Sequence, residues 1–271
     1  MRKLSNKKNS KKLLNRSKKK VTYLNSQNEK NLNIELSSHL ENFLVNRSQP
    51  SWNKNNSFLF SNRQTISRLI YINKLYEKII DVPGVICEFG VHYGGNLSLL
   101  SNLRGIHEPY NYTRKIYGFD TFTGFKNDLI KKEKKIGWKS GDYSLPKKYD
   151  IFLNKILKLH ELNSPIAHKT KFELLKGDIK KTFPQFLKKN SHLLVSLAFF
   201  DLDLYKPTLS VLKEIIKIMP KGGIIAFDDI NNPDFPGETL ALKETLGLKK
   251  FKINKDKDNP QQTWIQLYQV N

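Results

Sequence analysis

From Gly84 onward, short apolar runs alternate with segments of helical periodicity, and this alternation constrains the fold more than any other feature of the chain. "GVICEFG" is followed by "NLSLLSNLR", then "KIYGFD", the helical "YDIFLNKILKLHEL", "FELLKG" and "LLVSLAFFD". After these come "PTLSVLKEIIKIMP", "GGIIAFDD", "GETLALKETLG" and finally "KFKIN" and "TWIQLYQV". Strands that read as continuous apolar runs and are separated by helices predict an α/β fold: a mostly parallel sheet with helices on both faces. The last two runs have no helix between them, which predicts an antiparallel C-terminal strand at one edge. Ahead of Gly84, "IELSSHLENFLV" (34–45) and "QTISRLIYINKLYEKII" (64–80) carry apolar residues at helical spacing and read as N-terminal accessory helices.

Each predicted strand delivers an acid to the same edge. The first ends in Glu88, the second in Asp120, the third in Gly177 and Asp178, the fourth in Asp201 and Asp203, and the fifth in Asp228 and Asp229. A lone Asp after a strand is ordinarily a turn residue or helix cap. Five in succession, at the edge where open parallel sheets bind ligands, point to a site. The first turn, "EFGVHYGGN", has Gly90, Gly94 and Gly95 to let a backbone approach closely, but it does not fit G-x-G-x-x-G. With Asp120 at the next strand end, suited to gripping a ribose diol, it suggests an adenosine-bearing cofactor without a pyrophosphate. No glycine-rich run followed by Lys and Ser/Thr occurs, which argues against a nucleotide triphosphatase.

Charge and length set the remaining bounds. Residues 1–30 hold 11 Lys/Arg against the single acid Glu29, and the whole chain carries a net +22. The stretch "MRKLSNKKNSKKLLNRSKKK" has no apolar period and reads as a disordered tail. A base-composition bias toward Lys, Asn and Ile explains the excess more simply than an anionic partner, which stays the alternative. No apolar run nears the ~20 residues of a membrane span, and no signal peptide is evident. Cys87 is the sole cysteine, placed as a small core residue, so a soluble cytoplasmic protein is expected. The expected organisation is a basic tail over 1–30, accessory helices over 31–82 and the main domain over 83–271.

Five motifs, in order, resemble those of the macrocin O-methyltransferase family. "VPGVICEFGVHYGGN" is similar to its first motif and "YGFDTFTGF" to its Phe-Asp-Ser-Phe-x-Gly stretch. "GDIKKTFP" is similar to the segment before the fourth strand, "FFDLDLYKPTLSVLKEI" to its Asp-Gly-Asp-x-Tyr pattern, and "PKGGIIAFDDI" to its Pro-Gly-Gly then Asp-Asp-Tyr. His92 and Tyr93 stand where Trp and Arg are usual, Leu202 where Gly is, and Ile230 where Tyr is. The resemblance implies a Rossmann-like class I methyltransferase sheet and S-adenosyl-L-methionine as cofactor. It implies that Asp120, with Thr121 beside it, holds the ribose, that Asp178 and Ile179 meet the adenine, and that Glu88, Gly90, Tyr93, Gly94 and Asn96 hold the methionine part.

Asp201, Asp228 and Asp229 are hard oxygen donors of the kind Mg²⁺ selects, too few to fill its octahedron without water or substrate hydroxyls. The resemblance places the general base on Asp201, with Asp203 the rival unless it caps the following helix. "GWKSGDYSLP" (137–146) reads as a loop able to close over the site or as a plain surface loop, and Glu238 as a first-turn helix acid. The leading expectation is a Mg²⁺-dependent O-methyltransferase acting on a sugar hydroxyl of a small-molecule or glycan acceptor. A nucleic-acid methyltransferase is the alternative favoured by the charge, although no Asn/Asp-Pro-Pro-aromatic motif is present. A non-catalytic binding protein on the same fold is the third, and a homo-oligomer is left open.

Overall fold

The computed structural model describes residues 27–46, 59–259 and 261–268, so the expected basic tail lies outside the described residues except for its last four positions, which open a helix. The chain divides into two compact units, residues 1–62 and 63–271. The first contains helix α1 (Gln27–Asn46), which spans the helix expected over 34–45. Among the described residues no helix is long and apolar enough to cross a membrane.

The second unit is built on a seven-stranded sheet. In chain order its elements are α2 (Arg63–Ile79), β1 (Val85–Phe89), α3 (Gly95–His107), β2 (Ile116–Asp120), α4 (Lys131–Ile136), α5 (Tyr149–Leu162) and β3 (Phe172–Lys176). They continue with α6 (Ile179–Lys189), β4 (Val195–Phe200), α7 (Tyr205–Ile215), β5 (Ile224–Phe227), α8 (Gly237–Thr245), β6 (Asn254–Lys255) and β7 (Thr263–Gln266). The strand order is β3-β2-β1-β4-β5-β7-β6. The first five strands pair in parallel, and β7 pairs antiparallel with both β5 and β6. The sheet expected from the alternation, with its antiparallel C-terminal strand, is the one observed.

Burial on both sides explains the uninterrupted apolar character of the central strands, since every residue of β1, β4 and β5 is buried. The period of two divides their side chains between two cores. Ile86, Leu197, Phe199, Ile224 and Ala226 pack with α2, α3 and α5, through residues such as Ile72, Leu97 and Leu153. Cys87, Phe89, Phe200, Ile225 and Phe227 face α6, α7 and α8, through Phe183, Val211 and Leu242. Because Glu88 lies two residues from Ile86, the same alternation directs it to the α2–α3 side.

Helix α2 is part of this domain. Tyr71, Ile72, Leu75, Tyr76 and Ile79 are buried in the first core, and the compact unit that holds the sheet runs from Arg63. Arg114, buried at the start of β2, fastens its end: Nη2 donates to the carbonyls of Ile79 (3.0 Å) and Ile80 (3.1 Å), and Nη1 to those of Val82 and Gly84. Ile79 ends the helix, and the other three carbonyls lie in the turn beyond it, so one guanidinium gathers the whole turn.

Candidate active site

Sheet hydrogen bonding continues just past the strands and sets the strand-end residues side by side. The Gly90 amide donates to the Phe119 carbonyl (2.9 Å), that of Asp201 to Phe89 (2.8 Å) and that of Asp228 to Phe200 (3.0 Å). The strand order reverses direction between β1 and β4, and such a switch point opens a crevice at the carboxyl edge. Gly90 is demanded by this packing: its φ is +92°, and a Cβ there would lie 1.8 Å from the Asp201 carbonyl oxygen. Gly94 (φ +81°) would drive a Cβ to 2.4 Å from the Leu153 side chain. Both glycines are thus fixed by the protein's own contacts, whatever ligand they face.

Glu88 is fully buried, and both of its carboxylate oxygens lack a hydrogen-bond partner. Burial pushes its pKa up to about 8, offset in part by Asn96 and by the charge of Arg68. A buried carboxylate left unpaired is costly, and a ligand ammonium is the partner it lacks. This fits the amino acid end of S-adenosylmethionine. Asn96 accepts from Arg68 Nε at 3.0 Å. Tyr93 is exposed, its ring lying against His92 and Tyr149, and its carbonyl accepts from the Tyr149 hydroxyl (3.1 Å). The pair His92–Tyr93 therefore belongs to an aromatic cluster that Tyr143 extends.

Asp120 accepts from the His92 amide on one oxygen (2.8 Å) and the Phe122 amide on the other (2.6 Å), binding the first turn to the loop after β2. The Thr121 hydroxyl donates to the Gly124 carbonyl (2.9 Å) within that loop. Asp178 caps α6, accepting from the Lys180 amide (3.1 Å), and Ile179 is buried against the second core. Neither contact of Asp178 reaches the acid group around Asp201.

The acids of β4 and β5 form that group. Arg68 donates to Asp228, places Nη2 3.6 Å from Asp201 and lies over the Phe199 ring, 5.2 Å from its centroid. Burial works against the Arg68 charge, but Asp228, Asp201 and Glu88 outweigh it and raise its pKa. Protein surrounds Asp201 closely, while 30% of its side-chain surface still meets solvent. Burial and then the Asp228 charge raise its proton affinity well above the ordinary carboxylate range. Asp203 is raised too, by burial and then Asp201, and shares a hydrogen bond with Asp229, whose own pKa rises to about 6 through burial and Asp228. A hydrogen bond between two carboxyl groups needs one proton between them. It does not cap α7, whose N-cap is Leu204.

The sequence reading passed over three residues here. Arg68 was an undistinguished basic residue in an amphipathic helix. Gln262, in the turn before β7, donates to Asp228 (2.6 Å) and carried no signal. Glu238, read as a first-turn acid, does open α8, but it is fully buried and receives backbone amides from the β4 and β5 ends. In the loop 137–146, Trp138 Nε1 donates to the Asp234 carbonyl (2.7 Å) and its ring stacks on Phe235 at 4.7 Å, while residues 139–141, 143 and 144 are exposed.

Asp201, Asp228 and Asp229 supply the hard donors expected for Mg²⁺, and the group holds more carboxyls than the single charge of Arg68 can balance. That donor chemistry fits a divalent cation. Among the described residues, however, no three acids, histidines or cysteines are arranged around one metal position. Arg68 bridges Asp201 and Asp228 instead.

The profile of the macrocin-O-methyltransferase (TylF) family matches residues 65–239, from just before Arg68 to just after Glu238. The chain belongs to this family. Membership makes it an S-adenosylmethionine-dependent O-methyltransferase. The crystal structure of CalS11, a calicheamicin methyltransferase, is 36% identical, with 89% of this chain and 93% of that one covered and a TM-score of 0.81. An apo structure of CalS11, described as a TDP-rhamnose 3′-O-methyltransferase of calicheamicin biosynthesis, is 35% identical over 89% and 95% of the chains (TM-score 0.76). The O-methyltransferase NovP, 18% identical over 75% of this chain and 81% of its own, shares the fold with a TM-score of 0.60. Among curated proteins, none matches the chain.

Proposed function

We propose that this O-methyltransferase methylates a hydroxyl of a sugar, carried on a nucleotide or glycosylated metabolite, with Asp201 as general base and a Mg²⁺ ion at Asp201, Asp228 and Asp229. The observation that carries the reading is the position of Asp201. It stands at the switch point with 30% of its side-chain surface open to solvent, and burial and the Asp228 charge raise its proton affinity, as suits a base. The likeness to CalS11, whose described acceptor is TDP-rhamnose, supports a sugar. Asp203 shares a hydrogen bond with Asp229, and a carboxyl engaged with a second carboxyl is less free to meet the acceptor, which supports Asp201 over Asp203.

S-adenosylmethionine supplies an electrophilic methyl on its sulfonium and leaves as the neutral thioether. Glu88 holds the ammonium, Asp120 the ribose hydroxyls, and Asp178 with the Ile179 amide the adenine. Asp201 takes the proton as the acceptor oxygen bonds to the methyl carbon and the carbon–sulfur bond breaks. Asp201, Asp228 and Asp229 would hold the cation, whose charge would lower the pKa of an acceptor hydroxyl. It competes with Arg68 for Asp201 and Asp228, so Arg68→Gln should tighten Mn²⁺ binding followed by paramagnetic resonance, and Asp228→Asn should weaken it. EDTA should abolish turnover and leave S-adenosylmethionine affinity within about twofold; turnover surviving EDTA would remove the metal from the reading.

The test of function is mass spectrometry after incubation with labelled S-adenosylmethionine and a panel of TDP-sugars, simple glycosides and RNA. A sugar product heavier by one CH₂ is expected. Label recovered in RNA alone would overturn the sugar assignment.

A further inference from the structure

We infer that two buried glutamates outside the acid group, Glu133 and Glu238, are positioning residues that clamp the strained turn carrying Asp201 and Asp203. The inference rests on the methyltransferase reading above. The turn is tight: the Leu204 amide donates to the Leu202 carbonyl at 2.5 Å, two residues back, and Asp203 between them has φ +60°. A three-residue turn with a positive φ at a residue other than glycine is rare and strained, and it persists where the surroundings over-determine it.

Two carboxylates do so, one on each side. Glu238 Oε1 accepts from the Leu202 amide at 3.1 Å, just before Asp203, and Glu133 Oε1 from the Tyr205 amide at 2.7 Å, just after it. The second oxygen of each is anchored to a different loop. Glu238 Oε2 accepts from the Asp229 amide (3.1 Å) and Glu133 Oε2 from the Ile130 amide (2.7 Å). Glu238 is completely buried and Glu133 is 1% exposed, so both bonds form away from water, where a carboxylate acceptor is strong. Glu238 therefore ties the Asp201 turn to the strand end bearing Asp228 and Asp229. Glu133 ties it to the first turn of α4, whose N-cap is Ile130. Gly237 presses from the same side as Glu238: a Cβ there would lie 2.3 Å from both the Asp203 oxygen and the Tyr205 nitrogen. Neither glutamate touches the crevice's open acid; each acts through the backbone that aims it.

Three variants test this. A glutamine has one carbonyl oxygen, so in Glu133→Gln or Glu238→Gln one of the two amides meets a donor. Gly237→Ala moves the turn without altering either carboxylate. Each is expected to lower kcat at least tenfold, with the KM for acceptor and the Kd for S-adenosylmethionine changed less than about threefold. Hydrogen exchange in the cofactor-free protein reads the clamp without turnover: the Leu202 and Tyr205 amides should exchange at least tenfold faster in the two glutamine variants. Unchanged exchange and kcat in Glu133→Gln would overturn the inference, as would loss of cofactor binding in parallel with kcat in all three. Wild-type protein inactive on every sugar, with exchange accelerated as expected, would instead count against the sugar assignment and leave the clamp standing.

Discussion

At the scale of single residues, Glu88 and Arg68 illustrate how differently two groups of the candidate site announce themselves. Glu88 was legible as the acid that ends the first apolar run, and the structure buries both of its oxygens. Asp120, Asp201, Asp228 and Asp229 were legible for the same reason, since acids close the apolar runs of β2, β4 and β5 as well. Arg68 was not, since a basic residue on an amphipathic helix is ordinary and only the fold brings it to acids more than a hundred residues away. Two outcomes follow from the residues that were. Folding places a proton on Glu88 between its ordinary pKa of 4.5 and about 8, so its contribution to stability declines as pH rises through that window, by about 1.4 kcal/mol per unit. Glu88→Gln should therefore raise the melting temperature relative to wild type at pH 8.5 more than at pH 5, while weakening S-adenosylmethionine binding; a difference that is flat with pH would refute the assignment. Asp120→Ala should weaken cofactor binding by about 1.5–3 kcal/mol in calorimetry, the scale of a lost charged hydrogen bond. Unchanged affinity would remove Asp120 from the cofactor site.

At the scale of elements, strands were easier to read than the domain boundary. Runs such as "LAFF" and "IIAF" have no polar face, and such segments are stable only between two helical layers. Helix α2 was recognised as a helix, but its role was not, because its sequence is equally compatible with an accessory position. Its outer residues Ile66, Leu69 and Ile70 are exposed, while Tyr71, Ile72, Leu75 and Tyr76 fill the core. The period of the pattern gives a face, and only the tertiary contacts say which face is covered. A chain beginning at Arg63 should fold and bind S-adenosylmethionine. One beginning at Gly84 should not, since it lacks those buried side chains and the carbonyls that Arg114 engages. Circular dichroism and calorimetry on the two truncated chains decide this, and cooperative unfolding of the shorter one would contradict the packing account. The loop 137–146 was left between a lid and a surface segment, because nothing local reveals that Trp138 finds Asp234 and Phe235.

At the scale of the whole molecule, the net charge of +22 and the acid-lined crevice pull the functional reading in opposite directions. Charge spread over a surface and a tail sets the chain's attraction for anions in general, whereas chemistry is set by the few groups that meet the acceptor. At the carboxyl edge those groups are acids, with Arg68 as the cation among them, an arrangement suited to activating a hydroxyl rather than gripping a phosphate backbone. The most direct measurement is methyl transfer from labelled S-adenosylmethionine by wild type and Asp201→Asn, each with its cofactor affinity determined on the same sample. The expected result is a methylated sugar from the wild type, and none from the variant despite cofactor affinity within about threefold. Equal turnover by Asp201→Asn would contradict the account.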